Sequence, residues 1–214
     1  MSVSTYTELK AAVADWLHST AYTANIPDWI AAGESRLNTV LNLTAMQAFS
    51  TLTADTTSRF LALPSRYISP ISLYLLVSST VRVKLTSRSA ENMAAIANIV
   101  APTQPRYYNI GAQIEFDCTP NLPYSLTFNY YKKLDIASDT TNFLLTSNYK
   151  VYLYAALVEA WTYREDDAKI QRYEALLQAE IDRVSANDNS NRSVSRLVMD
   201  SALARPVRSN IFLG

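Results

Sequence analysis

Histidine, cysteine and glycine are scarce in this chain of 214 residues, and each shortage excludes a class of site. One histidine, His18, and one cysteine, Cys118, cannot supply the ligand set of a structural zinc site, and a lone cysteine forms no internal disulfide. There are three glycines, where average usage would give roughly fifteen, so no glycine-rich phosphate loop is present. We therefore expect no metal and no nucleotide cofactor.

Net charge and long apolar runs are also missing. Nineteen Lys and Arg balance nineteen Asp and Glu, so charge alone would hold neither nucleic acid nor anionic lipid. No apolar run approaches the roughly 18 residues of a membrane helix, and the opening MSVSTYTELK lacks the pattern of a secretion signal. We expect a protein made and kept in a reducing cytoplasm, or in something assembled there, with no membrane partner.

What the chain does have is 49 % hydrophobic residues and only 18 % charged residues. A soluble domain averages roughly 25 % charged residues. The hydrophobic fraction is ample for a core, and the low charge indicates that part of the surface faces other proteins.

Two helices are predicted at the N-terminal end. Thr5 and Glu8 have capping-box spacing, and the apolar residues that follow predict a helix over about 6–18. A second helix should begin near Pro27, with Glu34 mainly off its packing stripe. Gly33 lies on that stripe and predicts close approach by another helix. The stripe contains Ile26, Ile30, Gly33, Leu37, Val40 and Leu41.

The middle of the chain has the two-residue period of β-structure. Three apolar triplets alternate with polar residues, and each predicts a half-buried antiparallel strand. A short helix is expected over about 89–98, and residues 135–146 are predicted to form a polar loop. The triplets are Val81, Val83 and Leu85; Ile114, Phe116 and Cys118; and Leu126, Phe128 and Tyr130.

Helical periodicity returns in the C-terminal third. The run from Val151 to Trp161 is apolar on nearly every side, which predicts the most buried helix of the protein. The acidic run 165–167 favours the start of another helix, whose apolar spacing continues to Val184. From about residue 187 the pattern stops, which predicts a solvated arm with apolar residues near its end.

These elements predict an α+β fold. Residues 1–49 and 147–186 should form a helical bundle, residues 50–146 an inserted antiparallel β-rich domain, and residues 187–214 an extended C-terminal arm. In the arm, Ile211, Phe212 and Leu213 would each contribute about 1.5–3 kcal/mol if buried against a partner.

No catalytic constellation stands out. His18 is expected at a helix end and Cys118 on the apolar face of a strand. Glu115 and Asp117 share one strand face, and the acidic run 165–167 could offer carboxylates, so a glycosidase acting on cell-wall sugar stays open as an alternative. The simpler interpretation of the first pair is the solvent-facing side of a strand. The simpler interpretation of the acidic run is favourable electrostatics at the start of a helix.

Tyrosine is abundant, with fourteen copies. Tyrosines stack on bases or sugars and are enriched at protein interfaces. The absence of a basic stripe favours interfaces over nucleic acid. A carbohydrate-binding or receptor-binding module that uses Tyr107 and Tyr108 is the second alternative, and it involves no catalysis.

Five segments, taken in order, resemble the head-to-tail adaptor (connector) proteins of tailed bacteriophages. Together they span most of residues 5–184. The chain departs from the family at Ala155 and Ala156, where members often have glycine. The segments are TYTELKAAVADWLH, IPDWIAAGESRLN, LPSRYISPISL, PRYYNIGAQIEFDCTPNLPYSLTFNYYKKL and NFLLTSNYKVYLYAALVEAWTYREDDAKIQRYEALLQAEIDRV.

The resemblance implies a structural, non-enzymatic protein of the virion head–tail junction. Such proteins form a homo-oligomeric ring, commonly a dodecamer, that joins the portal protein to the tail or nozzle protein. The ring extends the DNA channel, where contact with double-stranded DNA would be transient and non-specific. In similar proteins a C-terminal extension docks on the portal or on a neighbouring subunit, and the resemblance implies this role for the arm in outline. From the residues of the arm we expect Ile211, Phe212 and Leu213 to be apolar anchors and Arg205 and Arg208 to pair with acidic groups of the partner.

Overall fold

A computed structural model describes residues 3–19, 21–78, 80–96 and 98–203, with side chains described up to residue 192 except at 98–100. The chain has an α+β fold, as predicted, and divides into two compact units. The helical unit contains the chain up to Thr44 and again from Asp135 onward. The sheet unit is Ala45–Leu134, where periodicity had suggested 50–146.

Six helices occur in the described residues. Two precede the sheet unit, α3 is a short helix within it, and three follow it. They are α1 (Tyr6–Leu17), α2 (Ile26–Val40), α3 (Ala90–Ile96), α4 (Ile136–Asp139), α5 (Phe143–Tyr163) and α6 (Asp167–Leu203).

Ten strands occur in the same part of the chain, all of them in the sheet unit. They are β1 (Gln47–Thr53), β2 (Phe60–Leu61), β3 (Tyr67–Leu76), β4 (Arg82–Lys84), β5 (Thr86–Ser87), β6 (Asn98–Thr103), β7 (Tyr107–Ile110), β8 (Ile114–Phe116), β9 (Cys118–Pro120) and β10 (Ser125–Lys132).

The helical unit is organised around α5, which packs against α1, α2 and α6. The capping box at Thr5 and Glu8 is confirmed, since each side chain bonds the other residue's backbone N–H. The predicted burial of α5 is also confirmed, because its residues from Val151 to Trp161 are buried except for half-buried Glu159.

Gly33 of α2 lies directly against the backbone of α5. A Cβ atom added there would be 2.9 Å from the carbonyl carbon of Ala155 and 3.1 Å from the nitrogen of Ala156. The predicted close helix approach at Gly33 is therefore confirmed. On the same helix Val40, which was placed on the packing stripe, is 52 % exposed, whereas Glu34 is buried.

Two predictions are wrong, one about the loop before α5 and one about the end of the last helix. Residues 135–146 are largely helical, because Asp135 caps α4 and Asn142 caps α5 through their side-chain oxygens. The helical pattern does not stop at residue 187, since α6 continues to Leu203. No glycine or proline interrupts α6, so nothing in its backbone forces it to end where the apolar spacing fades.

The sheet unit contains two four-stranded sheets, ordered β1-β10-β3-β4 and β2-β8-β7-β5, and the pair β6-β9. The first sheet is antiparallel throughout, while β5-β7 and β6-β9 are parallel pairs. The inward face of the first sheet and the residues of the second sheet pack into one hydrophobic core. Two predicted triplets are buried in full: Ile114, Phe116 and Cys118, and Leu126, Phe128 and Tyr130.

The third triplet is only partly inside. Leu85 is 1 % exposed, but Val81 and Val83 are 51 % and 38 % exposed. The alternation places these three residues on the same side of the chain, as predicted. The two valines stay exposed because β4 is a strand of only three residues at the edge of its sheet.

Candidate interaction surfaces

The five residues assigned to partner binding, Arg205, Arg208, Ile211, Phe212 and Leu213, lie outside the described residues. The described chain leads toward them through α6. The surfaces described below therefore belong to the helical unit, including α6, and to the sheet unit.

Side chains of α6 hold the segment by which the chain leaves the helical unit. The Arg192 guanidinium donates to the carbonyl oxygen of Asn42 at 2.7 Å and to Oγ1 of Thr44 at 2.8 Å. The Asp188 carboxylate accepts from the Thr44 backbone N–H at 3.0 Å and pairs with Arg192 at 2.8 Å. The i,i+4 spacing of these two opposite charges is typical of a helix and could have indicated that α6 continues here. The sequence analysis instead predicts that both residues lie in a solvated arm.

The carboxylates Glu115 and Asp117 have structural partners. Glu115 pairs with Arg59 at 2.9 Å. Oδ1 of Asp117 accepts from the backbone N–H groups of Arg106 and Tyr107 at 3.1 and 3.3 Å, in the one-residue break between β8 and β9. Both carboxylates stabilise the sheet unit through these bonds. These structural roles explain why acidic residues occur at the two positions.

The acidic run 165–167 begins α6, as predicted. Oδ1 of Asp166 accepts from the backbone N–H of Lys169 at 3.2 Å, and Oδ2 pairs with the Lys169 ammonium at 3.0 Å. The hydrogen bonds from Lys169 lower the pKa of Asp166. This carboxylate therefore serves the helix start.

His18 and Cys118 also have structural roles. His18 ends α1 in the left-handed conformation, with its backbone N–H bonded to Asp15. Cys118 is 2 % exposed, its Sγ lies 3.4 Å from the carbonyl oxygen of Thr103, and burial raises the pKa of the thiol. Across the described ranges, no group of three or more His, Cys, Asp or Glu side chains is arranged to hold a metal ion.

Glu34 is the buried carboxylate that the sequence reading missed. Its Oε1 accepts from the Tyr152 hydroxyl at 2.7 Å and from the Ile136 backbone N–H at 2.9 Å. The Tyr152 oxygen in turn accepts from Nδ2 of Asn142 at 2.7 Å. Burial raises the pKa of Glu34, although both hydrogen bonds oppose that shift. All these partners belong to the helical unit, so the network ties α2, α4 and α5 together.

A group of aromatic and cationic side chains lies where α5 ends. The rings of Tyr22, Trp29 and Tyr163 are 5.7–6.2 Å apart, and Tyr163 is 60 % exposed. The Arg164 guanidinium lies over the rings of Tyr22 and Trp161, at 5.4 and 4.5 Å from their centroids. Trp, Tyr and Arg are the residues that most often dominate protein interfaces. This aromatic corner is a candidate protein-binding surface.

The outward face of the first sheet has a shallow groove of about 420 Å³. Phe49 at its margin is 76 % exposed, the highest value among the large hydrophobic side chains whose exposure is described. The lining residues are Phe49, Thr51, Tyr74, Arg82, Thr127 and Asn129. The groove is open, uncharged except for Arg82, and flanked by the free edge of β1.

Tyr107 and Tyr108 are separated by the alternation of β7. Tyr108 is buried at 4 % exposure, whereas Tyr107 is half-buried under the Arg88 guanidinium, 5.0 Å from its ring centroid. The adjacent pair therefore does not present two rings side by side to a sugar.

The chain matches the model of a known protein family. The family model described as SU10 adaptor protein matches residues 4–200, which include the helical unit up to α6 and the whole sheet unit. No curated protein matches the chain. None of the described helices is both long enough and apolar enough to cross a membrane. The family match confirms the resemblance that the five segments indicate.

Proposed function

The chain belongs to the SU10 adaptor protein family, and from that premise we propose that it forms a ring that joins the portal to the tail at the head–tail junction of a bacteriophage. The match over residues 4–200 carries this proposal, because it includes both units in order rather than one shared motif. In this role the protein is structural and its activity is binding.

The surface chemistry supports a role in assembly. The aromatic corner at Tyr163 and Arg164 has the composition of an interface centre, and Phe49 exposes a large apolar side chain on the sheet. Isolated exposed hydrophobic residues are ordinary, whereas an aromatic corner of this composition on a chain with few charges favours a protein that binds other proteins.

The charge balance fits a subunit that lines a DNA channel. A net charge of zero provides no strong electrostatic attraction for phosphates. DNA could then pass such a ring with only transient, non-specific contacts, as the proposed channel requires.

The C-terminal residues are proposed to dock on the portal or on a neighbouring subunit. Ile211, Phe212 and Leu213 would be the apolar anchors, and Arg205 and Arg208 would pair with acidic groups of the partner. Burial of the anchors would offset the entropy lost when the segment is ordered.

Negative-stain microscopy with native mass spectrometry tests the ring. The full chain is examined alone and with the portal protein encoded in the same phage, at about 10 μM, which corresponds to about −7 kcal/mol of binding free energy. We expect a ring of defined stoichiometry, twelve copies by analogy with the family, seated on the portal. No association with the portal at this concentration would contradict the adaptor role.

Deletion of residues 205–214 tests the docking segment separately. We expect the deletion to abolish attachment and to leave the Tm of the chain almost unchanged, since the two units do not depend on the deleted residues for their described contacts. A matched control replaces the same ten residues with a Gly/Ser sequence of equal length. Normal attachment of the truncated chain would contradict the role assigned to this segment.

A further inference from the structure

Strand β1 presents an unprotected edge. It pairs along one side only, with β10, and is the outermost strand of its sheet among the strands that the structure describes. Its seven residues, QAFSTLT, include no charged residue, proline or glycine. Natural edge strands are usually blunted by charge, proline or short length, because their free N–H and C=O groups recruit other strands. An edge without these devices is typical of a strand that is paired in its working assembly.

The opposite edge of the same sheet is β4, and it differs in length and charge. It has three residues, Arg82, Val83 and Lys84, of which two are basic. Pairing of β4 with a second β4 would bring like charges together, which is unfavourable. Short length and charge are thus the devices that protect β4 against pairing with a second β4, whereas the uncharged β1 meets no like charge on it.

Strand direction permits β1 and β4 of different subunits to pair. The order β1-β10-β3-β4 is antiparallel at every step, so the two edge strands of this four-stranded sheet run in opposite directions. When two copies stand side by side, β4 of one is antiparallel to β1 of the next. Each added copy leaves the same two edges free, which is the head-to-tail relation that closes into rings.

The side chains of the two edges match on both faces of the sheet. On the outward face, β1 offers Phe49 at 76 % exposure and β4 offers Arg82, a pairing suited to a cation–π contact. On the inward face, Val83 is 38 % exposed at one edge, and Leu52 is only half-buried at the other. Strand pairing would cover both apolar residues and extend the core from one subunit to the next.

We propose that β1 of one subunit adds to β4 of its neighbour, so that the first sheet runs continuously around the assembled ring. The second copy of this chain is thus the occupant of the β1 edge. This inference rests on the proposed ring and specifies the contact that holds neighbouring subunits together.

Disulfide cross-linking tests the contact in the ring assembled on the portal protein. Two double variants are made in the full chain, Thr51→Cys with Arg82→Cys and Thr51→Cys with Lys84→Cys, because all three side chains share the outward face. Within one subunit β1 and β4 are three strand spacings apart, about 14 Å, which is beyond the reach of a disulfide. A ladder of covalent oligomers after oxidation can therefore come only from neighbouring subunits, and we expect it from at least one pair.

The controls separate the possible outcomes. Thr51→Cys with Leu122→Cys, which moves the second thiol to an exposed loop of the same unit, should give no ladder. Covalent dimers from Thr51→Cys alone would indicate symmetric β1–β1 pairing and overturn the proposal. Portal-bound rings without a ladder would also overturn it and leave the adaptor role intact, whereas failure to bind the portal would contradict the adaptor role itself.

A charge exchange provides a second measurement. Thr51→Lys places a cation on β1 opposite the basic β4 of the neighbour, and we expect loss of ring assembly on the portal. Addition of Arg82→Glu should restore assembly, since β4 then has no net charge and the new carboxylate can pair with the new cation of β1. Leu122→Lys adds the same charge at an exposed loop residue outside β1 and β4 and should assemble normally. Normal assembly of the Thr51→Lys chain would count against the proposal.

Discussion

The Tyr152 hydroxyl donates to the Glu34 carboxylate at 2.7 Å within the helical unit, where both side chains are buried. This bond joins α5 to α2, and the second bond of Glu34, from the Ile136 N–H, adds the start of α4. A buried carboxylate is costly unless it is hydrogen-bonded. Loss of either partner should therefore be more damaging than loss of an exposed hydrogen bond.

Tyr152→Phe should destabilise the protein by about 1–3 kcal/mol, because it leaves buried Glu34 with one fewer donor and Asn142 without its acceptor. Urea unfolding monitored by circular dichroism measures the change. Tyr163→Phe removes a hydroxyl from a residue that is 60 % exposed and serves as the control, with a change near zero. Equal stabilities of the two variants would contradict a structural role for the network.

The pKa of Glu34 is raised by burial, and this gives the pH dependence a definite sign. A carboxyl group whose pKa is higher in the folded state binds its proton more tightly there, so its contribution is complete below the unfolded value, 4.5. That contribution is lost as pH rises through the raised pKa. Relative to Glu34→Gln, the wild-type chain should therefore lose stability as pH increases above 4.5. Unfolding free energies of both chains measured across this range provide the check, and parallel curves would contradict the assignment.

Gly33→Ala should destabilise the helical unit by up to about 2 kcal/mol. Alanine gains about 1 kcal/mol of helix propensity over glycine, but the new Cβ would meet the α5 backbone at 2.9 Å, and overpacking costs about 1–3 kcal/mol. Gly111→Ala is the matched control, since nothing lies within 4 Å of a Cβ there. Thermal unfolding of both variants distinguishes them, and a stabilised Gly33→Ala chain would show that α2 and α5 separate easily.

Arg192→Ala should loosen the segment that follows α2. It removes the donors to Asn42 and Thr44 and leaves Asp188 without its ion-pair partner. Amide hydrogen exchange at Thr44 should become faster, while exchange in α5 should not change. Arg172→Ala, an exposed residue of the same helix, is the control. Unchanged protection of Thr44 would mean that Asp188 alone holds this segment.

Cys118 should be unreactive in the folded protein. Its thiol is 2 % exposed and burial raises its pKa, so the reactive thiolate is scarce and shielded. The rate of its reaction with a chromogenic disulfide reagent should increase as urea unfolds the protein. In the native protein the rate should not increase with the reagent concentration. Rapid reaction of the native chain would contradict this burial, and it would require Cys118→Ala in the cross-linking variants.

Spacing along the chain predicts the succession of helices, inserted sheet and helices, together with several details of packing. The Thr5/Glu8 capping box, the buried helix from Val151 to Trp161 and the close approach at Gly33 depend on local spacing and side-chain size, which can be read from neighbouring residues. The family resemblance was likewise carried by the order of segments along the chain.

Features that depend on distant partners cannot be read from local spacing. The burial of Glu34 requires Tyr152 and Ile136, which are more than 100 residues away. Val83 follows the alternation of a half-buried strand, yet it is exposed because β4 is an edge. Periodicity indicates which side of an element is apolar, but the order of strands and the contacts between distant segments decide whether that side is covered.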